Sequence, residues 1–443
     1  MSTRPHLAQG APLSPAEVEA NFADLHPLLT PGQAAVEAAR CLYCYDAPCV
    51  KACPTAIDIP GFIHRIRSGN LEGSARTILS ANIMGGTCGR ACPTEVLCEE
   101  VCVMNARGEE AVKIGALQRH AVEHLIAQAG EHPFPRSPAS GKHLAVVGAG
   151  PAGLSFAHRA AMLGHQVTVY EARPKPGGLN EYGLAAYKMA NDFAQKEVDF
   201  LLGIGGISIE YGKALGRDLT LDDLSKAHDA VFLGLGTGAV NALALPGGDL
   251  AGVENALTFI EILRQAKDKA ALKVPANVVV IGGGNTAIDA AVQAKRLGAQ
   301  TVTLVYRRGE MDMSATTWEQ DLARINDVVV RLWAMPVRFE GDGHVARAVF
   351  ETTALVNGKL AGTGETFTVA ADLVLKAIGQ ALEPLAGVAV ENGKIAVGAD
   401  FQTSLPGVFA GGDCITSGED LTVQSVEDGK RAAIAVDAYV RAK

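Results

Sequence analysis

HLAVVGAGPAGLSFAHRAAMLGHQVTVYEA, residues 143–172, decides the fold. A short apolar run leads into Gly148, Gly150 and Gly153 in G-x-G-x-x-G spacing. A helical stretch follows, and a second apolar run ends at Glu171, an acid 23 residues beyond the first glycine. Each part has a physical task. Gly148 permits a tight turn, Gly150 lets the backbone approach a pyrophosphate, Gly153 lets the helix lie close to the strand, and Glu171 can accept from ribose hydroxyls. The helix N-terminus adds unpaired N–H groups and a favourable dipole for phosphate. A glycine-rich turn alone says little. Strand, helix and terminal acid together predict a dinucleotide-binding βαβ unit.

The scheme recurs 134 residues later in NVVVIGGGNTAIDAAVQAKRLGAQTVTLVYRR, residues 277–308, with Gly282, Gly284 and Ala287 at the glycine positions. Its second strand ends in Tyr306-Arg307-Arg308 rather than in an acid. Without a carboxylate for the 2′-hydroxyl, and with arginines able to hold a 2′-phosphate, these residues lean towards NADP; a solvated surface pair is the alternative reading of the arginines.

Outward from the loops, short Val/Ile/Leu runs alternate with helical segments: HLAVVGAG, HQVTVYEA, AVFLGLG, NVVVIGGG, TVTLVYRR, LVLKAIG and GVFAGG. Near-continuous apolar strands between helices predict parallel sheets covered on both faces. Gly177-Gly178-Leu179, the turn from Gly234 to Gly238, and Gly411-Gly412-Asp413 followed by the Leu421 to Gly429 stretch are features of flavin sites in two-dinucleotide flavoproteins. The first loop is therefore assigned to FAD. Because flavin-type features return at residues 407–431, the second dinucleotide domain is expected to be inserted into the first. The expected fold class is α/β: an N-terminal all-helical domain (1–140), whose cysteines are read below, a Rossmann-like FAD domain (141–265 and 371–443) and an inserted NAD(P) domain (266–370). Residues 127–142, with Pro133, Pro135, Pro138 and Gly141, read as the linker.

The 443 residues suffice for two or three domains, and 48% apolar with 20% charged residues is a globular composition. A net charge of −9 without long runs of one sign offers no basic patch for nucleic acid or membrane. The stretch MSTRPHLAQGAPLSP lacks a signal-peptide core and no apolar run approaches a spanning helix, so the expected home is cytoplasmic.

Eight of nine cysteines fall between Cys41 and Cys102. In a reducing compartment such clustering argues for metal rather than disulfides. The pattern is C41-x2-C44-x4-C49-x3-C53-P, then C88-x3-C92-P-x5-C98-x3-C102. Four thiolates suit zinc or an iron-sulfur cluster. Close runs ending in Cys-Pro favour clusters, and a redox-inactive ion would give flavin electrons nowhere to go. Two 4Fe-4S clusters fit the count. No cysteine lies between Cys102 and Cys414, so a C-x-x-C dithiol partner for the flavin, as in disulfide reductases, is excluded.

These residues carry a resemblance. CLYCYDAPCVKACPTAIDIPGFIHRIRSGN, TCGRACPTEVLCEEVC and KIGALQRHA resemble the N-terminal domain of dihydropyrimidine dehydrogenases, and the likeness continues through VVGAGPAGLS, PGGL, VIGGGNTAIDAA, VFAGGD and LTVQSVEDGK. The chain is similar to the nicotinamide-oxidising subunit of the bacterial two-subunit form, with the small subunit of glutamate synthase as a relative. The resemblance implies a different ligand set from consecutive spacing. One cluster would use Cys41, Cys44, Cys49 and Cys102; the other would use Cys53, Cys92, Cys98 and Gln118. Cys88 would be a non-ligand, the alternative being that Cys88 ligates and Gln118 is a helix-surface residue.

For the flavin the resemblance implies Glu171, Gly178, Leu179, Lys188, Leu215, Asp413 and Thr422, with Lys188 a departure where some relatives have Arg. For the nicotinamide nucleotide it implies Gly283, Gly284, Asn285, Thr286, Arg307, Arg308 and the stretch from Ala377 to Gly379. Ser314 stands where NADPH-using relatives place an Arg, which tips the expectation towards NADH. No side chain of this chain is expected to act as a catalytic acid. The resemblance implies a partner, an FMN- and iron-sulfur-containing subunit that binds pyrimidines, in a heterotetramer. A glutamate synthase small subunit and a non-catalytic redox sensor are the rival readings; the run DAPC-x3-CPTAIDI favours the pyrimidine group.

Overall fold

HLAVV and QVTVYE form neighbouring parallel strands, His143–Val147 and Gln166–Glu171, joined by the helix Pro151–Met162. The computed structural model describes residues 9–128, 130–383, 385–416 and 418–443. Residues 1–8, the first part of the stretch read as lacking a signal peptide, lie outside the described residues. Leu144 to Val147 are buried on both faces of the sheet, which is why the strand reads as an unbroken apolar run. Three further strands complete a parallel sheet in the order Val408–Ala410, Ala230–Leu233, His143–Val147, Gln166–Glu171, Ile207–Tyr211.

The second repeat builds a like sheet. Its order is Val253–Asn255, Leu373–Lys376, Asn277–Ile281, Thr301–Val305, Val329–Arg331, again all parallel. A three-stranded antiparallel sheet, Ala334–Glu340, Arg347–Val356 and Lys359–Ala370, lies in sequence between Val329–Arg331 and Leu373–Lys376. The chain then returns to the first sheet through Val408–Ala410, so the second dinucleotide domain is inserted into the first, as expected. The closing helix Thr422–Arg441 lies against Pro151–Met162. A Cβ on Gly429 would stand 2.1 Å from the Ala152 carbonyl oxygen, so only glycine permits this approach.

The N-terminal region is helical, as expected. The amphipathic stretch between the cysteine groups forms two helices, Ile59–Arg67 and Leu71–Ala81, capped by Asp58 and Asn70 and separated at Gly69, whose φ is 77°. Their apolar faces bury Phe62, Ile63, Ile78 and Leu79 against Leu117 of the helix Ile114–Ala127. Each such side chain contributes about 1.5–3 kcal/mol. The linker is irregular but fastened: Arg136 donates to the carbonyls of Ala161 (3.1 Å) and His165 (3.0 Å).

The chain divides into two compact units. One holds the described residues up to Leu25, Tyr182–Ala190 and Val240–Gln380; the other holds His26–Glu181, Asn191–Ala239 and Ala381–Lys443. These limits differ from the expected domains and correct them in two places. Residues 240–265 join the second sheet's unit because Val253–Asn255 pairs with Leu373–Lys376. Residues 9–25 join it too: Gly10 donates to the Val274 carbonyl (3.0 Å), and Asn21 exchanges hydrogen bonds with Arg296.

Candidate functional site

In the first loop Gly148 has φ 96°, and a Cβ there would stand 2.4 Å from the Gly234 carbonyl oxygen. A Cβ on Gly153 would meet the Gly148 carbonyl oxygen at 1.9 Å. Above Gly150, the N-cap of Pro151–Met162, only the Cα of Gly178 approaches, at 3.9 Å. The cradle is thus open where a pyrophosphate would meet the helix N-terminus, as FAD requires. Glu171 is buried, and its carboxylate accepts from Ala149 N (2.8 Å) and Arg173 N (2.8 Å), tying the strand end to the glycine turn.

Around this turn, Gly178 has φ 55°, and Leu179, 37% exposed, opens a short helix. Leu215 is half-buried against the core of the same unit. Asp413 follows the last strand; burial pushes its carboxyl above its ordinary value, while a 2.8 Å hydrogen bond from Ser425 opposes the rise. Thr422, the first residue of the closing helix, donates to Asn180 Oδ1 at 3.0 Å.

Lys188 lies in the unit of the second sheet, 8% exposed, with its ammonium 2.7 Å from Asp289 Oδ1 and in contact with Glu319 Oε1. Its charge is matched there by two buried carboxylates.

The second loop is built like the first. Gly282 has φ 151° and would place a Cβ 2.2 Å from the Ala377 carbonyl oxygen. A Cβ on Gly283 would strike the Tyr306 ring at 2.5 Å, and one on Gly284 would stand 3.1 Å from Ser314 Oγ. Asn285 and Thr286 form the first turn of the helix Asn285–Arg296, with Ala287 buried behind them. Asn285 Oδ1 is buried with no hydrogen-bond partner, a polar atom that a nucleotide would satisfy. Arg307 is exposed and Arg308 half-buried, just past the end of Thr301–Val305. Gly379, with φ 91°, lies beside the Asn241 amide.

Cys41, Cys44, Cys49 and Cys102 line one small apolar cavity with Ile59, Ile63 and Met104. Burial pushes the Cys49 thiol up to about 11, and neighbouring Cys41 and Cys102 add to the rise. A donor set of four thiols around one apolar cavity suits an iron-sulfur cluster. Cys53, Cys92 and Cys98 form a second neighbourhood, where Cys92 is hydrogen-bonded to Cys88 and raised further by burial and by Cys98 and Cys53. Cys88 is buried there. Gln118 is also buried, its amide donating to the Gly85 carbonyl at 2.7 Å. Among the described residues no three His, Cys, Asp or Glu side chains are grouped to hold a single metal ion.

Two features escaped the sequence reading. Glu197 is buried and its carboxylate caps Gly85–Ala91, the helix with Cys88 on it, by accepting from Gly86 N (2.8 Å) and Thr87 N (3.0 Å). Burial pushes its pKa up to about 7, against those hydrogen bonds. The second is the clasp over each loop, from Gly177 N to the Ala149 carbonyl (2.7 Å) and from Ala315 N to the Gly283 carbonyl (2.9 Å). Glu197 acts across 110 residues, so no local signal announces it.

Two dinucleotide loops on parallel sheets, together with a cysteine-lined helical region, define a flavin-dependent NAD(P)H oxidoreductase with an iron-sulfur domain. Residues 142–429 match the pyridine nucleotide-disulphide oxidoreductase family, and residues 18–129 match dihydropyrimidine dehydrogenase domain II, 4Fe-4S cluster. The NAD-dependent dihydropyrimidine dehydrogenase subunit PreT of Escherichia coli O157:H7 is 34% identical, over 95% of this chain and 98% of its own. The NADPH glutamate synthase small chain of Escherichia coli K12 is 32% identical, over 93% of this chain and 92% of its own. FprA from Mycobacterium tuberculosis shares the fold, with TM-score 0.59 and 20% identity over 69% of this chain and 85% of that one. The chain belongs to the pyridine nucleotide-disulphide oxidoreductase family, and within it to the FAD- and 4Fe-4S-containing electron-transfer subunits of the PreT and glutamate synthase small-chain type. Among the described residues no helix is long and apolar enough to cross a membrane.

Proposed function

We propose that the chain is the electron-input subunit of a dihydropyrimidine dehydrogenase, taking electrons from NADH and delivering them to a separate pyrimidine-reducing subunit in the cytoplasm. Bound FAD would accept hydride from the nicotinamide and release electrons singly to two 4Fe-4S clusters. This chain's own residues bind and orient. The Gly148–Gly153 turn and Glu171 hold the flavin nucleotide, while Gly282 to Ala287, Arg307, Arg308 and Ala377 to Gly379 hold the nicotinamide nucleotide. No side chain need act as acid or base for hydride transfer, since positioning supplies most of what the step requires. Cys41, Cys44, Cys49 and Cys102 would hold one cluster and Cys53, Cys92, Cys98 and Gln118 the other.

The observation that carries the reading is the single cavity shared by Cys41, Cys44, Cys49 and Cys102, 61 positions apart in sequence at the extremes. It supports a redox exit in a chain with no cysteine between Cys102 and Cys414. Reducing a pyrimidine C5–C6 bond needs a further flavin and a proton donor, which places that chemistry on a partner: an FMN- and iron-sulfur-containing, PreA-like subunit in a heterotetramer. The glutamate synthase reading has support in the 32% identity to the small chain, close to the 34% to PreT. Mixing this chain with each partner type separates the two. Uracil-dependent NADH oxidation with the PreA-like subunit supports the proposal; stimulation only by a glutamine-dependent partner overturns it.

A further inference from the structure

We infer that Trp333 and Thr353 are specificity-determining positioning residues: from the antiparallel sheet they hold the Arg307-Arg308 turn, where the nucleotide's 2′ position is sensed. The inference rests on reading the second glycine loop as the nicotinamide-nucleotide site. All of these residues lie within Val240–Gln380, one stretch of a single compact unit. In a βαβ unit of this kind the end of the second strand meets the ribose 2′ substituent, while the glycine turn carries the pyrophosphate. Arg307 and Arg308 stand at that end, and neither has a carboxylate partner among the described residues. Arg324, by contrast, is paired with both Glu310 and Asp321.

Successive carbonyls of the turn are bound by that sheet. Ala334 N donates to the Tyr306 carbonyl (3.1 Å), the Thr353 hydroxyl to the Arg307 carbonyl (2.8 Å) and Trp333 N to the Arg308 carbonyl (3.1 Å). Only the middle bond comes from a side chain. Thr353 is buried and follows a register shift in the pairing of Arg347–Val356 with Lys359–Ala370, the kind of bulge that re-aims a side chain. Its own N–H donates to the Trp333 carbonyl at 2.8 Å, so the two residues form one support. Trp333 has φ 57°, a conformation that a bulky residue keeps only where its surroundings hold it. Its N–H and carbonyl are both bonded, and its ring lies against Gly309, where a Cβ would stand 3.0 Å from Cζ2. Beyond Gly309 the chain has its own fastenings: the Tyr306 hydroxyl donates to the Asp312 carbonyl at 2.6 Å, and Ala315 clasps Gly283. Loosening the sheet's hold therefore frees the arginines without opening the pyrophosphate cradle.

The test uses the purified flavoprotein with three substitutions. Thr353→Val removes the hydroxyl and keeps the branched shape, Thr353→Ser returns the hydroxyl, and Trp333→Asn tolerates the left-handed backbone but lacks the ring. FAD per chain is read from absorbance, and dissociation constants are measured for NAD+ and NADP+, which leave the oxidised flavin unreduced. Thr353→Val and Trp333→Asn are each expected to keep their FAD, to bind NADP+ about fivefold more weakly and to hold NAD+ within about twofold, with Thr353→Ser within about twofold of the parent for both. An unchanged ratio of the two constants in either variant that folds, or equal losses for both nucleotides, overturns the proposal. Should Trp333→Asn fail to fold, Thr353→Val carries the test alone. The underlying site reading fails differently: Gly283→Val, which drives a side chain into the Tyr306 ring, would then leave both constants intact. Weakening of both by Gly283→Val, together with an unmoved ratio in Thr353→Val, would keep the site and remove only the support from the sheet.

Discussion

The two glycine loops share a backbone and differ at the points a nucleotide would sense. In the first, Gly148 N donates to the Tyr170 carbonyl (2.8 Å) and Gly234 N to the Val147 carbonyl (2.9 Å). In the second, Gly282 N donates to the Val305 carbonyl (3.0 Å) and Ala377 N to the Ile281 carbonyl (2.8 Å). Both are clasped at the residue after the first glycine. Yet the first ends its second strand in Glu171, bound to the turn, and the second continues into Tyr306-Arg307-Arg308. The clasp differs as well: Gly178 approaches Gly150, whereas Ser314 brings a hydroxyl to Gly284. A common frame suits a pyrophosphate in both, and the strand end and clasp are where the two proposed cofactor sites differ.

The largest effect expected from breaking this comparison is at Gly153, where any Cβ meets the Gly148 carbonyl oxygen at 1.9 Å. Gly153→Val should yield chain nearly devoid of flavin by absorbance, because the clash is with backbone and costs about 3 kcal/mol or more. Retained flavin would show that the helix can slide. Glu171→Gln comes next. It leaves one carbonyl oxygen for two backbone donors, which costs about 1–3 kcal/mol and predicts flavin affinity lower by about 10- to 100-fold in a reconstitution titration. The smallest effect is at the second strand end. If Arg307 and Arg308 face a 2′-phosphate, replacing both by Ala should weaken NADP+ binding by about tenfold and leave NAD+ within about twofold. Equal losses for both nucleotides would assign the pair to general positioning.

The seven apolar runs beginning at His143, His165, Ala230, Asn277, Thr301, Leu373 and Gly407 each contain a strand, because strands buried on both faces announce themselves. Of the edge strands, Val408–Ala410 was legible and two others were not. Ile207–Tyr211 is half exposed and mixed in polarity, and Val253–Asn255 has three residues. The antiparallel sheet carried a usable signal in Asn357-Gly358, whose positive φ values of 53° and 75° make the hairpin turn between its two long strands. At the candidate site, the glycine turns and Glu171 stand out because their spacing is local, whereas the grouping of Cys102 with Cys41, Cys44 and Cys49 around one cavity was implied by resemblance and not by consecutive spacing. The setting of Lys188 was not legible, since its partners Asp289 and Glu319 lie 101 and 131 residues away and only the fold brings them to it.

The central claim is that this chain takes electrons from a nicotinamide nucleotide into flavin and releases them singly through iron-sulfur clusters. Anaerobic titration of the purified protein with NADH and with NADPH, followed by absorbance and EPR, tests it in one experiment. The account predicts flavin bleaching by NADH at lower concentration than by NADPH, with reduced 4Fe-4S signals appearing in EPR as the flavin is reduced. Bleaching without any cluster signal, or a flavin that neither nucleotide reduces, would contradict it.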